Sequence, residues 1–187
     1  MNKKKIEISL PEGKFKVNVL EFNKPDKKIL FDLYKNWRNT TELSKLLYGR
    51  CINIPESLSE GAFCLITQSF RMIENIPKAN SSFDCYNIHN NKRIQVKACA
   101  TKSDLTSFGP KSIWDELYFL DFYNDGEFNG KFDIYLIDDK FIYDHKVNIN
   151  ETFKDQQNQK RRPRIRIKEE IIISKNLKPI ISATLSK

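Results

Sequence analysis

The chain has 187 residues, enough for one domain with a proper core and short for two. Hydrophobic residues make up 40% and charged residues 30%, an ordinary balance for a soluble globular protein, and no apolar run approaches a membrane span. The net charge of +8 suits a polyanionic partner such as nucleic acid, although a lysine-rich solubilising surface gives the same number.

The basic start, Met1 to Lys5, runs into an alternating segment and then Pro11. It lacks the continuous apolar stretch of a signal peptide, so a cytoplasmic location is expected. Residues 6–10 and 15–22 read as a hairpin around Pro11-Glu12-Gly13. Pro25-Asp26 opens a helix with Ile29, Leu30, Leu33, Tyr34 and Trp37 at helical spacing. Thr40 or Thr41 is placed to cap a second helix carrying Leu43, Leu46 and Leu47, which Gly49 ends. These apolar stripes are expected to be core or a subunit interface. After a connector over 50–55, Ser57 or Ser59 caps a third helix with Leu58, Ala62, Phe63, Leu65 and Ile66 on its buried side. Glu60 falls in its first turn, where a carboxylate suits the positive helix end.

Two strands follow, 81–86 and 92–98, joined by a turn holding His89, Asn90 and Asn91. The first carries Asp84. Alternation in the second sends Gln95 and Lys97 to one face and Ile94, Val96 and Ala98 to the other. A polar loop over 101–112 comes next, then a short helix or turn at 113–117 capped by Ser112. Residues 118–123 and 132–137 read as strands separated by the turn Asn124-Asp125-Gly126. Residues 148–159 are polar and begin a helix. Arg164-Ile165-Arg166-Ile167-Lys168 alternates as an edge strand does, and the C-terminal residues are expected to fray. The whole predicts an α/β domain over 1–187, a mixed central β-sheet flanked by helices.

Cys51, Cys64, Cys85 and Cys99 are scattered without CxxC spacing, which argues against a zinc knuckle or redox motif and for small buried residues. The chemistry lies in the hairpin. Phosphodiester hydrolysis brings water onto phosphorus while negative charge grows on the phosphoryl oxygens. A hard divalent cation polarises that centre and lowers the pKa of its water. Asp84 supplies a charged ligand, Gln95 a neutral carbonyl oxygen, and Glu60 is the carboxylate able to restore the missing charge if it points into the same pocket. Lys97 is suited to stabilising the transition-state charge, orienting the water or neutralising the carboxylates. Taken alone, the short pattern is met as readily by a turn cap and the wet face of a strand.

Ser82-Phe83-Asp84 with Gln95-Val96-Lys97 resembles the PD-(D/E)xK nuclease superfamily, with Gln95 at the acidic position of the second half-motif. Longer strings are more specific: residues 53–60, 104–112, 114–122 and 148–157, and Arg161-Arg162-Pro163-Arg164. Together they resemble a small family of type II restriction endonucleases that cut interrupted GC-rich palindromes of the GCNGC type. The resemblance spans roughly residues 50–168. It implies a restriction-endonuclease-like fold and a homodimer that cuts double-stranded DNA with Mg2+, for which Mn2+ can substitute. It also implies that Asp84, Gln95 and Lys97 form the catalytic triplet, with Glu60 a fourth member and Asp84, Gln95 and Glu60 toward the metal.

Several residues are placed to meet the duplex. In the polar loop these are Lys102, Ser103, Asp104, Ser107 and Lys111, of which Asp104 suits cytosine N4 and the lysines suit guanine or phosphate. Further on, Arg161, Arg162 and Arg164 suit guanine edges or the backbone, and Gln156 and Gln157 suit base contacts. The basic run from Lys160 to Lys168 equally fits a solvated face. Two other functions share these residues: a methylation-dependent, repair or structure-selective nuclease, and a DNA-binding module whose catalytic site has decayed.

Overall fold

In the computed structural model, which describes residues 1–76 and 82–186, the chain opens with a long hairpin, β1 (Asn2–Leu10) against β2 (Gly13–Glu21). Gly13 closes the turn at φ +131°, a conformation that favours glycine. The inward residues Ile8, Leu10, Val17 and Val19 bury against Tyr86, whose hydroxyl donates to Ser9 O and accepts from Ser9 N, both at 3.0 Å.

One helix, α1 (Lys27–Leu46), stands where two were expected. Thr40 does not cap: its Oγ1 donates back to Asn36 O at 2.8 Å. Thr41 is buried and extends the stripe Leu30, Tyr34 and Trp37 by one more turn. Packing along that stripe overrides the local preference of threonine for a helix start. The next helix, α2 (Glu56–Thr67), begins after Pro55, so neither Ser57 nor Ser59 is its cap. A Cβ on Gly61 would meet Leu30 Cδ2 at 2.8 Å and the Phe22 ring at 3.1 Å. Glycine here lets α2 seat tightly on the first helix and fixes the height of its neighbour Glu60.

Three strands then complete one half of the sheet: β3 (Phe70–Met72), β4 (Cys85–Asn87) and β5 (Lys92–Cys99). The predicted hairpin exists, but its first strand is shorter than expected. Asp84 lies one residue before β4, and Ser81 lies outside the described residues. A two-residue strand β6 (Thr106–Ser107) precedes β7 (Glu116–Asp121), which lies parallel to β5. No helix forms over 113–117: the chain bends at Asp115 and enters β7 at Glu116, and Trp114 is buried in the core. A 3₁₀ turn at Asn124–Gly126 leads to β8 (Lys131–Ile137). Short helices α3 (Lys140–Tyr143) and α4 (Phe153–Asn158) follow, the latter capped by Thr152 and Asp155.

The predicted strand 164–168 shrinks to β9 (Arg164–Ile165), paired antiparallel with β6. The chain then turns into a π-helical segment, Ile167–Ile173. Lys168 therefore leaves the basic face: it is buried, ion-paired to Asp121 at 2.6 Å and set over the Tyr123 ring. Removing either partner strands a buried charge, a loss of about 3–5 kcal/mol. The last strand, β10 (Ile181–Thr184), pairs with β8, so the C-terminus does not fray as expected.

The eight-stranded sheet runs β1-β2-β3-β4-β5-β7-β8-β10, antiparallel except between β5 and β7. Alternation divides its core. Ile94, Val96, Leu120, Phe132 and Ile134 meet α1 and α2 on one face. Leu117, Phe119, Tyr135 and Ile137 meet Phe108, Trp114, Phe153 and the π-helical segment on the other. This is the expected α/β class, a large, mostly antiparallel central sheet flanked by helices, consistent with a restriction-endonuclease-like fold. Among the described residues, no helix is long and apolar enough to cross a membrane.

Candidate active site

The site arises where a strand stops. β4 pairs with β5 only as far as Cys85 opposite Ile94, so the edge of β5 beyond that point has lost its antiparallel neighbour. Asp84 fills the gap. Its backbone N donates to Ile94 O at 2.9 Å, its carbonyl accepts from Met72 N at 2.9 Å, and its Oδ2 accepts from Val96 N at 2.8 Å. A side-chain carboxylate thus takes the place of the missing strand's carbonyl. Beside it opens a cleft of about 490 Å³, lined by Val96 and Ala98 from one face of β5 and by Lys97 from the other. An open strand edge is what allows residues of opposite faces to share one cavity.

Glu60 reaches the same cleft from the second turn of α2, not the first turn expected of it, because the helix already starts at Glu56. It is buried and ion-paired to Arg71 of β3, Nε to Oε2 at 2.6 Å. Burial first, then the Asp84 charge, push its carboxyl up to about 7, while Arg71 opposes both. Burial also pushes Asp84 up, against the pull of Lys97 and of the Val96 amide. The Lys97 ammonium lies over the Phe108 ring, 5.1 Å from its centroid. Gln95 is 3% exposed and stands behind Asp84, donating from Nε2 to Asp84 Oδ2.

Four carboxylates line the cleft, Glu56, Glu60, Asp84 and Asp104, against the cations Arg50 and Lys97. The mutual repulsion of Asp84 and buried Glu60 calls for a counter-cation, and these two carboxylates suit one hard divalent ion. No group of three His, Cys, Asp or Glu among the described residues is close enough to cage a metal. Magnesium needs no such cage, since it takes one or two carboxylates and keeps several waters.

Glu56 and Arg71 escaped the sequence reading. Glu56 stands four residues before Glu60 on one helix, a spacing that places both on one face and was legible in principle. Nothing local marks Arg71, because its partner lies on another element.

The other expected residues divide. Asp104 and Ser107 line the cleft. Lys102 is exposed and borders a second cavity, and Ser103 Oγ donates to Glu169 at 3.4 Å. Lys111 is exposed, with its carbonyl accepting from Ser82 N. Gln156 is buried and donates to Glu151 at 2.9 Å, while Gln157 donates to Ser112 O at 3.0 Å. Both amides are thus engaged inside the protein. Arg161 is held on Glu151 at 2.8 and 3.0 Å. Hydrogen bonds from Gln156, Asn148 and Gln159, then the Arg161 charge, hold that carboxyl down at about 2. Arg162 and Arg164 are exposed without an ion pair among the described residues. Pairing of Ser107 with Arg164 sets the basic segment beside the polar loop, of which Ser107 lines the cleft. Of the cysteines, Cys64, Cys85 and Cys99 are buried as expected, whereas Cys51 is exposed on the cleft rim.

The model of one family, the Bsp6I restriction endonuclease, matches residues 22–174. Type II restriction enzyme Bsp6I of Bacillus sp. (strain RFL6) is 29% identical over 174 residues, covering 88% of this chain and 93% of that protein. No solved structure matches the chain significantly.

Proposed function

The chain belongs to the Bsp6I restriction endonuclease family and is a type II site-specific endonuclease, and from that premise we propose the chemistry and target of its cleft. It hydrolyses both strands of DNA with Mg2+, for which Mn2+ substitutes, at a short GC-rich palindrome of the GCNGC type. One observation carries the reading: the carboxylates of Asp84 and Glu60 meet Lys97 in one cleft at the open edge of β5. A cleft lined by four carboxylates repels a polyanion unless a cation sits between them. The GCNGC class rests on the long strings quoted above.

Asp84 and Glu60 hold the cation, with Gln95 as the neutral third ligand. A half-turn of the Gln95 amide exchanges Nε2 for Oε1, the atom a cation takes. When bound, magnesium polarises the scissile phosphate and makes its water a better nucleophile. Lys97, beside Asp84 on the cleft, offsets the negative charge growing on the phosphoryl oxygens. Arg71 keeps Glu60 aimed into the cleft. Arg162 and Arg164 follow the backbone, with Asp104 and Ser107 nearest the bases. A digest of plasmid DNA with magnesium is expected to give discrete fragments whose sequenced ends share one interrupted GC-rich palindrome. Cutting confined to methylated or branched DNA, or binding without cleavage, overturns this reading.

Two-fold symmetry suits a palindrome and supplies one cleft per strand, so the active enzyme is a homodimer. The last residue of α1 and the turn that follows it support this. Leu46, Leu47 and Tyr48 are 76%, 83% and 100% exposed, and the chain passes from them straight into Arg50 to Ile54 on the cleft wall. Apolar side chains grouped this way mark an interaction surface, and a second copy docked there brings two clefts to one side. Leu46→Glu with Leu47→Glu is expected to sediment as a monomer and to lose double-strand cutting at least about 10-fold at dilute enzyme. A dimer that persists in that variant moves the interface elsewhere.

A further inference from the structure

We propose that the second cavity is a binding site for one backbone phosphate of the DNA, held by Arg38, Thr41 and Lys45 of α1 together with Lys102; this rests on the nuclease reading above. The cavity measures about 260 Å³ and lies between the C-terminal half of α1 and residues 100–102. Residues 38, 41 and 45 are spaced three and four apart, which puts all three on one face of the helix. Lys102 faces them across the cavity, so groups distant in sequence converge on one small volume.

Thr41 points to a ligand independently of charge. Its Oγ1 is buried and makes no hydrogen bond among the described residues. A hydroxyl left so in a native fold calls for an explanation, and rotation about its Cα–Cβ bond presents it to a guest oxygen. Arg38 is held flat, its guanidinium carbon 3.3 Å from the Phe128 ring centroid and 5.4 Å from that of Trp37. A stacked guanidinium keeps its donors in plane, which suits phosphate oxygens. Glu42 pairs with Arg38 and, at 3.1 Å, with Lys45. It stands outside the cavity lining and neutralises one charge of three, so the site remains cationic.

Position identifies the phosphate as DNA's. Cys51, Ile52, Ala100 and Thr101 line both this cavity and the catalytic cleft. A strand leaving Asp84 and Lys97 along that shared wall next meets Arg38, Lys45 and Lys102. The cleft itself carries a negative lining, so grip on the neighbouring phosphate falls to this site.

Binding of a fluorescent duplex containing the cleavage site, measured over a salt series with Ca2+ in place of Mg2+ so that the carboxylates are neutralised, tests the assignment. Lys45→Ala with Lys102→Ala is expected to weaken binding about 10-fold and to lower the slope of log K against log salt by about 0.9 per phosphate lost. On wild-type protein, one flanking position per strand is expected to be sensitive to a neutral methylphosphonate, and the double variant to be blind at that position. Thr41→Val is expected to weaken the duplex a few-fold while raising the melting temperature, because it removes a buried hydroxyl that lacks a partner. An unchanged salt slope, or a double variant that keeps the methylphosphonate sensitivity, overturns the site. So does a Thr41→Val protein that loses stability and keeps its affinity. Wild-type protein that neither binds nor cuts the duplex defeats the nuclease reading instead, which separates the two failures.

Discussion

Replacing Asp84 by asparagine is expected to slow cleavage by roughly 10³-fold, about 4 kcal/mol of transition-state stabilisation. The backbone around residue 84 is held independently of its carboxylate, by Ile94 O and Met72 N. Asparagine keeps the size and an oxygen for the Val96 amide, so the variant folds. Burial raises the Asp84 pKa, so the charged form is worse tolerated in the folded chain than in the unfolded one. That penalty is absent below the ordinary carboxylate range, grows as pH rises through it, and levels off above the folded pKa. The variant is therefore expected to melt at a higher temperature than wild type near neutral pH, with the difference vanishing in acid. Wild type is expected to gain stability on adding Mg2+ and the variant to gain little. Turnover within 10-fold of wild type, or an equal magnesium-induced gain, would remove Asp84 from the metal.

Lys97→Met is expected to cost a similar factor, roughly 10³-fold, by a different route. Methionine keeps an unbranched apolar stem and removes the ammonium that lies over Phe108. With that cation gone, Asp84 loses its strongest favourable charge neighbour and its carboxyl rises further. The carboxylates then hold a divalent cation more tightly, because a like charge has left the cleft. Lys97→Met is thus expected to need less Mg2+ for half-maximal stabilisation while its kcat collapses, with duplex affinity little changed. Asp84→Asn moves magnesium affinity the other way, so titrating both variants assigns the roles. Equal losses of magnesium affinity in the two would place Lys97 in the scaffold and not at the reacting phosphate.

Much of the site was legible because it is local. Asp84 and the Gln95–Lys97 segment are adjacent in a hairpin, and a period of two assigns the faces of β5 without tertiary information. Gln156 and Gln157 show where such reading stops. Both are polar, near a basic run, and suited to bases, yet their amides go to Glu151 and to Ser112 O. Lys168 is a sharper case. Its alternation with Arg164 and Arg166 reads as an exposed edge strand, but the turn into a π-helical segment carries it inside to Asp121. Thr40 and Thr41 mislead likewise: side chains suited to a helix start are absorbed mid-helix when a buried stripe runs through one of them, Thr41.

Composition, the period-two pattern of the hairpin and the long family strings determined by themselves the class of fold, DNA as the partner, and the hairpin that carries Asp84, Gln95 and Lys97. Each rests on neighbours within a few positions, where backbone geometry alone decides which side chains share a face. Tertiary structure alone decided that β4 stops at Cys85. That stop opens the edge of β5 and lets Lys97 and Val96 share one cleft; tertiary packing also brings Glu60 and Arg71 together near Asp84 and sets the Arg164 strand beside Ser107. Those contacts join segments far apart in the chain, and no local propensity encodes which distant surfaces meet when the core closes.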